Sequence, residues 1–451
     1  MPSIFGFIIF SILILGLLTC LPLIFRANAL SPEINKPISI NNPHIRAEVI
    51  ATGIKFPTSM AFLGSNDILV LEKNDGTVKR ITNGSMFGDP LLDVNVSTGS
   101  ERGMLGIAVA KNTPGPTYVF LYYTESAAKE ATDVIDGQPP LGNRLYRYEL
   151  INNKLVNPKL LLDLPASPAS RHNGGKLAIG PDQNIYLVIG DMEGATKSQN
   201  IKNGTSADGR GGILRVTYNG TSVGKGILGN TFPLDLYYAY GIRNSFGIGF
   251  DPVTGRLWDT ENGPGFGDEI NFVPPGFNSG WKKVQGVLEN NKERIKLDKA
   301  SISKNLVDYG GKGKYSAPEF TWNGTVGPTA LTFFNSTKLG KEYENDLLVG
   351  DFHNGYIYHF KLNKDRTKFV WGDQHTDRMA DTKKELNKII FAQGFGGITD
   401  LQIGPDGYLY VLSVHNGGAN CEVLRDKSKP CISYNSGVEG TIFRLTNTRI
   451  H

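Results

Sequence analysis

The sequence predicts an all-β protein, and within that class a six-bladed β-propeller. Two observations carry this. The 451 residues include 54 Gly and 24 Pro, and short apolar runs alternate with Gly, Pro, Asn and Asp while no long helical periodicity appears. The second observation is an internal repeat, a Gly- or Pro-led apolar strand, a polar turn, a second apolar strand and a third strand that alternates basic and apolar residues.

The repeat occurs six times. The copies begin at Phe56–Phe62, Gly103–Ala108, Gly175–Ile179, Ser245–Phe250, Thr329–Phe333 and Thr399–Ile403. Their second strands fall at Ile68–Leu71, Tyr118–Tyr123, Ile185–Ile189, Arg256–Trp258, Asp346–Gly350 and Tyr408–Leu412. A four-stranded sheet cannot bury both faces alone, and packing blades around an axis solves that. A pair of sandwiched sheets does not explain six equivalent phrases. The run Arg46–Ala51 precedes the first copy and is expected to close the ring as the missing strand of the last blade.

Length and charge bound the rest. Hydrophobic residues make up 40% of the chain and charged ones 20%, with a net charge of +4 spread without basic blocks. No nucleic acid or acidic polymer is called for as a partner. Residues 4–25 are almost purely apolar and are followed by Arg26 and Ala27-Asn28-Ala29, so residues 1–29 read as a signal peptide. The same run is long enough to serve as an N-terminal membrane anchor. Residues 30–45 form a linker and residues 46–447 the propeller, placed outside the cell or in a periplasm-like space. Cys421 and Cys431 suit a small disulfide-closed loop in that setting. Six N-x-[ST] sequons, at Asn83, Asn95, Asn203, Asn219, Asn323 and Asn335, are compatible with export.

In a propeller, the loops at one mouth of the channel surround a shared cavity. Arg171-His172-Asn173-Gly174-Gly175 precedes an inner strand, and Gly190-Asp191 follows the next one, so His172 and Asp191 lie at the same end of one blade. A carboxylate beside a His selects its tautomer and makes a base that works near neutral pH. A structural His capping a turn is the competing reading. Downstream, Arg243-Asn244 is followed by Glu261-Asn262-Gly263-Pro264 and Asp268-Glu269. Carboxylates and free carbonyls around a Gly-Pro turn suit Ca²⁺, and Arg243 supplies a cation for an oxyanion or carboxylate. A salt-bridged surface loop is the competing reading here.

Taken in order, Gly-Met-Leu-Gly-Ile (103–107), Arg-His-Asn-Gly-Gly-Lys (171–176), Ile-Gly-Asp (189–191), Tyr-Gly-Ile-Arg-Asn (240–244), Glu-Asn-Gly-Pro (261–264), Gly-Asp-Glu-Ile-Asn (267–271) and Asn-Ser-Gly-Trp (278–281) resemble the glucose/sorbosone dehydrogenase family, which includes soluble quinoprotein aldose dehydrogenases. The resemblance covers roughly residues 46–447. It implies a six-bladed propeller and oxidation of an aldose or related hydroxyl compound with pyrroloquinoline quinone (PQQ) and Ca²⁺, electrons passing to an external acceptor. It implies His172 as the base, Asp191 as its orienting partner, and Arg243 and Asn244 against the cofactor. Asn262, Asp268 and His353 would line the same pocket. The carbonyls of Gly263 and Pro264 would hold Ca²⁺, and Glu269, with the backbone near Ser279, a second structural Ca²⁺. The sixth-blade phrase Phe395–Asp400 lacks the paired arginines that the family uses for the PQQ carboxylates, with Lys176, Arg210 and Arg243 as the compensating cations.

Two other functions fit the same features. One is a non-quinoprotein, Ca²⁺-dependent lactonase-like hydrolase, in which His172, His353 and His415 could instead hold a transition metal. The other is a non-catalytic cell-surface binding propeller.

Overall fold

The computed structural model describes residues 37–111, 114–127, 140–167, 169–193, 199–289, 304–371, 377–415 and 438–449. The apolar run 4–25, the Ala27–Ala29 cleavage motif, Cys421 and Cys431 lie outside these residues.

The protein is an all-β propeller. Its sheets follow one another along the chain, each built mainly of antiparallel strands that move outward from the axis. The first contains Pro57–Gly64, Asp67–Glu72, Thr77–Thr82 and Ser85–Met86; the second contains Met104–Lys111, Thr117–Glu125, Gly142–Ile151 and Lys154–Leu164. The third starts with Leu177–Ile179, Ile185–Ile189, Gly212–Val216 and Tyr237–Tyr240; the fourth with Gly247–Phe250, Leu257–Glu261, Phe266–Val273 and Phe320–Gly324. The fifth starts with Pro328–Phe333, Leu347–Asp351, Tyr356–Phe360 and Ile390–Gln393, and the sixth contains Gly397–Ile403, Leu409–His415, Glu439–Asn447 and Ile45–Lys55.

The last strand named shows how the ring closes. Ile45–Lys55, from the start of the described chain, pairs antiparallel with Glu439–Asn447 from its end, with Arg46 opposite Thr446 and Val49 opposite Phe443. The expected closing strand is therefore present. The innermost strands also touch in sequence, from Pro57–Gly64 round to Gly397–Ile403 and back to Pro57–Gly64.

Burial follows the same cycle. Leu69, Val78, Ile107 and Leu121 fill the space between the first and second sheets, and Phe120, Leu145, Leu187 and Leu214 that between the second and third. Val188, Ile213, Ile248 and Leu257 join the third to the fourth, and Trp258, Ile270, Val349 and Tyr358 the fourth to the fifth. Leu348, Ile357, Leu401 and Phe443 join the fifth to the sixth; Val70, Ile81, Leu412 and Ile442 bring the sixth back to the first. The second strand of each sheet is thus buried on both faces, which is why these strands read as near-continuous apolar runs instead of alternating ones.

The fourth sheet differs from expectation. The stretch after Glu261 read as a loop, but Phe266–Val273 is a buried strand pairing with Leu257–Glu261. Its polar residues hid it, because Asp268, Glu269 and Asn271 are all buried. The inner strands also approach very closely. A Cβ on Gly106, in the second sheet, would lie 1.9 Å from the Gly175 carbonyl oxygen. Gly106→Ala is expected to cost roughly 1–3 kcal/mol or more by overpacking that contact, read as a lower midpoint in urea denaturation.

Candidate active site

Strand direction delivers the site. Inner strands start at one end of the channel and second strands return to it, so residues before the first and after the second meet there. His172 precedes Leu177–Ile179 and Asp191 follows Ile185–Ile189, and their side chains touch, His172 Nδ1 lying 2.5 Å from Asp191 Oδ1. Asp191 Oδ2 accepts a bond from the Trp281 indole N–H at 2.6 Å. Burial works to raise the Asp191 carboxyl, but the bonds to His172 and Trp281 outweigh it and hold the group below the usual carboxylate range. Asp191 is therefore a charged acceptor that favours the tautomer with its proton on His172 Nδ1, leaving Nε2 as the ring's acceptor nitrogen.

The backbone is equally constrained. His172 is buried and adopts φ +62°, a left-handed conformation uncommon for a residue with a side chain. Its N–H donates to Glu101 Oε2 at 2.6 Å, and the same carboxylate accepts from the Asn244 amide at 3.1 Å. Arg243 turns its N–H to Glu261 Oε1 (2.7 Å) and its Nη1 to the Asn262 carbonyl (2.8 Å), and its guanidinium lies over the Trp281 ring. Burial lowers the Arg243 pKa from its ordinary value, against the pull of Asp191, Glu101 and Glu261.

These groups face a cavity of about 300 Å³. His172, Arg243, Asn244, Asn262, Gly263, Asp268 and His353 all line it, together with Glu101, Lys73 and Lys176. Asp191 stands behind His172 instead, beside a smaller recess lined by Arg210 and Trp281. Asp268 accepts backbone N–H bonds from Gly263, Val326 and Gly327 at 2.7–2.8 Å. Burial nevertheless pushes its pKa up to about 6.

The candidate metal residues separate into two places. Gly263 is on the cavity wall and Pro264 is exposed at its rim. Glu269 lies in the interior, in register with Glu261 and beside Asn271, and Ser279 Oγ–H bridges Glu261 and Glu269 at 2.6 and 3.0 Å. Burial raises Glu269 to about 7, and also pushes Asp259 and Glu261 well above the carboxylate range. The structure corrects three expectations. Arg210 does not face the cavity; it is clamped on Asp208 and the Ser167 carbonyl. His415 is not on the wall, its ring meeting Ser413 and the edge of Phe443. Among the described residues no three His, Cys, Asp or Glu side chains gather at metal-binding distance, so the transition-metal arrangement of His172, His353 and His415 is not formed.

Glu101, Trp281 and Lys73 were not singled out in the sequence. Glu101 and Trp281 do flank motifs that were, Glu101 standing two residues before Gly103 and Trp281 closing the Asn-Ser-Gly-Trp phrase. Their roles depend on contacts across 71 and 90 residues of chain, which no local pattern reveals.

A ring of sheets with a His–carboxylate pair, a buried Arg and a lined cavity at one mouth defines an enzyme-like propeller. The model of the family "Glucose / Sorbosone dehydrogenase" matches residues 54–425, and the chain belongs to that family. An aldose sugar dehydrogenase of Escherichia coli is 23% identical over 83% of this chain and 91% of its own. Quinoprotein glucose dehydrogenase B of Acinetobacter calcoaceticus is 26% identical over 70% of this chain and 77% of its own. Among solved structures, the PQQ-bound aldose sugar dehydrogenase of Streptomyces coelicolor superposes with a TM-score of 0.61 at 20% identity, covering 92% of this chain and 99% of that one. The family assignment, together with these relatives, supports a dehydrogenase-type oxidoreductase.

The buried carboxyls with raised pKa set a pH dependence. A carboxyl raised in the folded state stabilises it when protonated, so its contribution is present below pH about 4 and is lost as pH rises through the folded value. Burial pushes Asp268 and Asp351 up to about 6. In chelator-treated protein the melting temperature is expected to fall between pH 4.5 and 7, and Asp268→Asn to flatten part of that slope in a fluorescence melting series.

Proposed function

We propose that this propeller, read as six-bladed from its six inner strands, oxidises an aldose or related hydroxyl compound in the cavity at the His172 mouth, using PQQ and Ca²⁺. The observation that carries the reading is the His172 Nδ1–Asp191 Oδ1 contact of 2.5 Å at the wall of that cavity. It gives His172 Nε2 a defined tautomer and a fixed direction. Nε2 takes the proton of the substrate hydroxyl as hydride leaves the adjacent carbon, and Asp191 stabilises the imidazolium so formed.

The residues present fit the cofactor on one side. Arg243 Nε and Asn244 Oδ1 are buried without a hydrogen-bond partner among the described residues, a donor and an acceptor on one wall. Unpaired buried polar atoms are costly unless a ligand meets them. Arg243 and Asn244 would hold the quinone ring, Asn262, Asp268 and His353 would frame it, and the Gly263 and Pro264 carbonyls would take Ca²⁺. Glu269 would belong to a second, structural Ca²⁺. PQQ supplies the two-electron acceptor when bound, and Ca²⁺ polarises it. Arg243 stabilises negative charge as it develops, and an external acceptor removes the electrons.

We place the protein outside the cell or in a periplasm-like space on the apolar character of residues 4–25, as a secreted or membrane-anchored chain. Five sequon asparagines, Asn83, Asn95, Asn203, Asn219 and Asn335, are exposed and Asn323 is half-buried, which is compatible with that placement.

Purified protein supplied with PQQ and Ca²⁺ is expected to reduce a redox dye in the presence of an aldose. His172→Asn should lower kcat by roughly 10²–10⁴-fold with the melting temperature little changed. Wild-type turnover in the His172→Asn variant would sink the base assignment. Lactone hydrolysis without dye reduction would select a hydrolase.

A further inference from the structure

The central channel is divided by one side chain. On one side lies the His172 cavity, and on the other a space of about 420 Å³ lined by the inner strands. Lys176 is the residue that lines both. It starts at the third sheet and crosses to Asp400 of the sixth, a non-neighbour in the ring, where its ammonium bonds Asp400 Oδ1. Both residues are buried, Lys176 at 7% exposure and Asp400 at 0%.

The pair is not closed on itself. Asp400 also accepts from Ser59 Oγ–H at 2.9 Å, from the Met60 N–H at 3.0 Å, and from the Gln402 amide at 3.2 Å. Its negative charge is therefore shared among several donors. Lys176 has three N–H donors, and Asp400 is the one acceptor it meets among the described residues. Two donors of a buried cation that lines the cavity are left without an acceptor among the described residues. A buried ammonium with spare donors is stabilised by a further anionic or carbonyl acceptor.

A second buried cation stands on the same cavity. Lys73, at 2% exposure, is positioned by the Thr98 carbonyl (3.3 Å) and Asn74 Oδ1 (2.9 Å), with its ammonium over the Phe56 ring. The other two basic groups are used differently. Arg171 meets Glu193 at the exposed rim, and Arg243 is turned onto Asn262 and Trp281.

We infer that Lys73 and Lys176 form the carboxylate-binding pole of the cavity, taking the charge that the arginine-free phrase Gly396-Gly397-Ile398-Thr399 does not. The ligand class is an aromatic polycarboxylate, the part of PQQ farthest in character from its quinone. This rests on the cofactor reading above. It also explains why the floor of the cavity is an ion pair and not an apolar plug, since the pair fixes a cation where one end of the ligand arrives.

Isothermal titration calorimetry tests it without turnover, using PQQ and a pyridine dicarboxylate as separate probes. Lys73→Met, and Lys176→Met combined with Asp400→Asn so that no lone charge is left buried, are each expected to weaken both probes by about tenfold or more, as for loss of a charged hydrogen bond. PQQ trimethyl ester, titrated into the unaltered chain, is expected to bind at least about tenfold weaker than the acid. Undiminished binding in folded lysine variants, or equal binding of acid and ester, overturns the pole and leaves the cofactor reading standing. If the dicarboxylate binds and the variants weaken it while PQQ does not bind, the pole stands and the cofactor reading falls. Failure of both probes on the unaltered chain overturns both.

Discussion

Everything at this site depends on a backbone crossing that has no room for a side chain. A Cβ on Gly190 would lie 2.4 Å from the His172 carbonyl oxygen and 2.6 Å from that of Arg243. The next residue, Asp191, donates its N–H to the Arg243 carbonyl at 2.9 Å, and Gly211 donates to the Gly190 carbonyl at the same distance. Three loops thereby meet within one hydrogen-bond length, and each brings one functional side chain. Any side chain at position 190 would push the base, its carboxylate and the cation apart together. Glycine here is a steric requirement of close approach and not of flexibility.

Around that crossing, charge is managed by pairing buried groups across sheets. Glu101, from the loop before the second sheet, neutralises donors on both His172 and Asn244. Trp281 bonds Asp191 and faces Arg243, so one indole positions both signs of charge. A carboxylate whose partners do not outweigh its burial is pushed toward the protonated form, as the raised Asp259 and Glu261 illustrate, buried and beside other carboxylates. Asp191 stays ionised because its partners outweigh its burial. The site therefore works through three layers, a ligand-facing wall, the residues that aim it, and the propeller core that prevents either from relaxing.

The second strands of the repeats were legible because they are mostly apolar and bounded by turn residues. Ile185–Ile189 and Tyr356–Phe360 lie where the repeat placed them. Phe266–Val273 was not legible, because its buried face is acidic and burial of carboxylates is not written in local hydrophobicity. The His172–Asp191 proximity followed from strand direction alone, since adjacent antiparallel strands return to the same end. Arg210 was misplaced for the opposite reason: its neighbour Asp208, two residues away, captures it before it can reach the cavity.

By itself, the amino-acid order determined the all-β class, the repeating strands, the closing role of Arg46–Ala51 and the nearness of His172 to Asp191, since these follow from local polarity and from which end of a blade a loop occupies, whereas Arg243 joined that pair through the family resemblance. Only the tertiary structure decided that Glu101 holds the His172 backbone, that Trp281 links Asp191 to Arg243, and that Lys176 spans the channel to Asp400. Those contacts join residues 71, 90 and 224 positions apart. Ring closure brings such residues together, and closure is a property of all the sheets at once, so no segment carries the information alone.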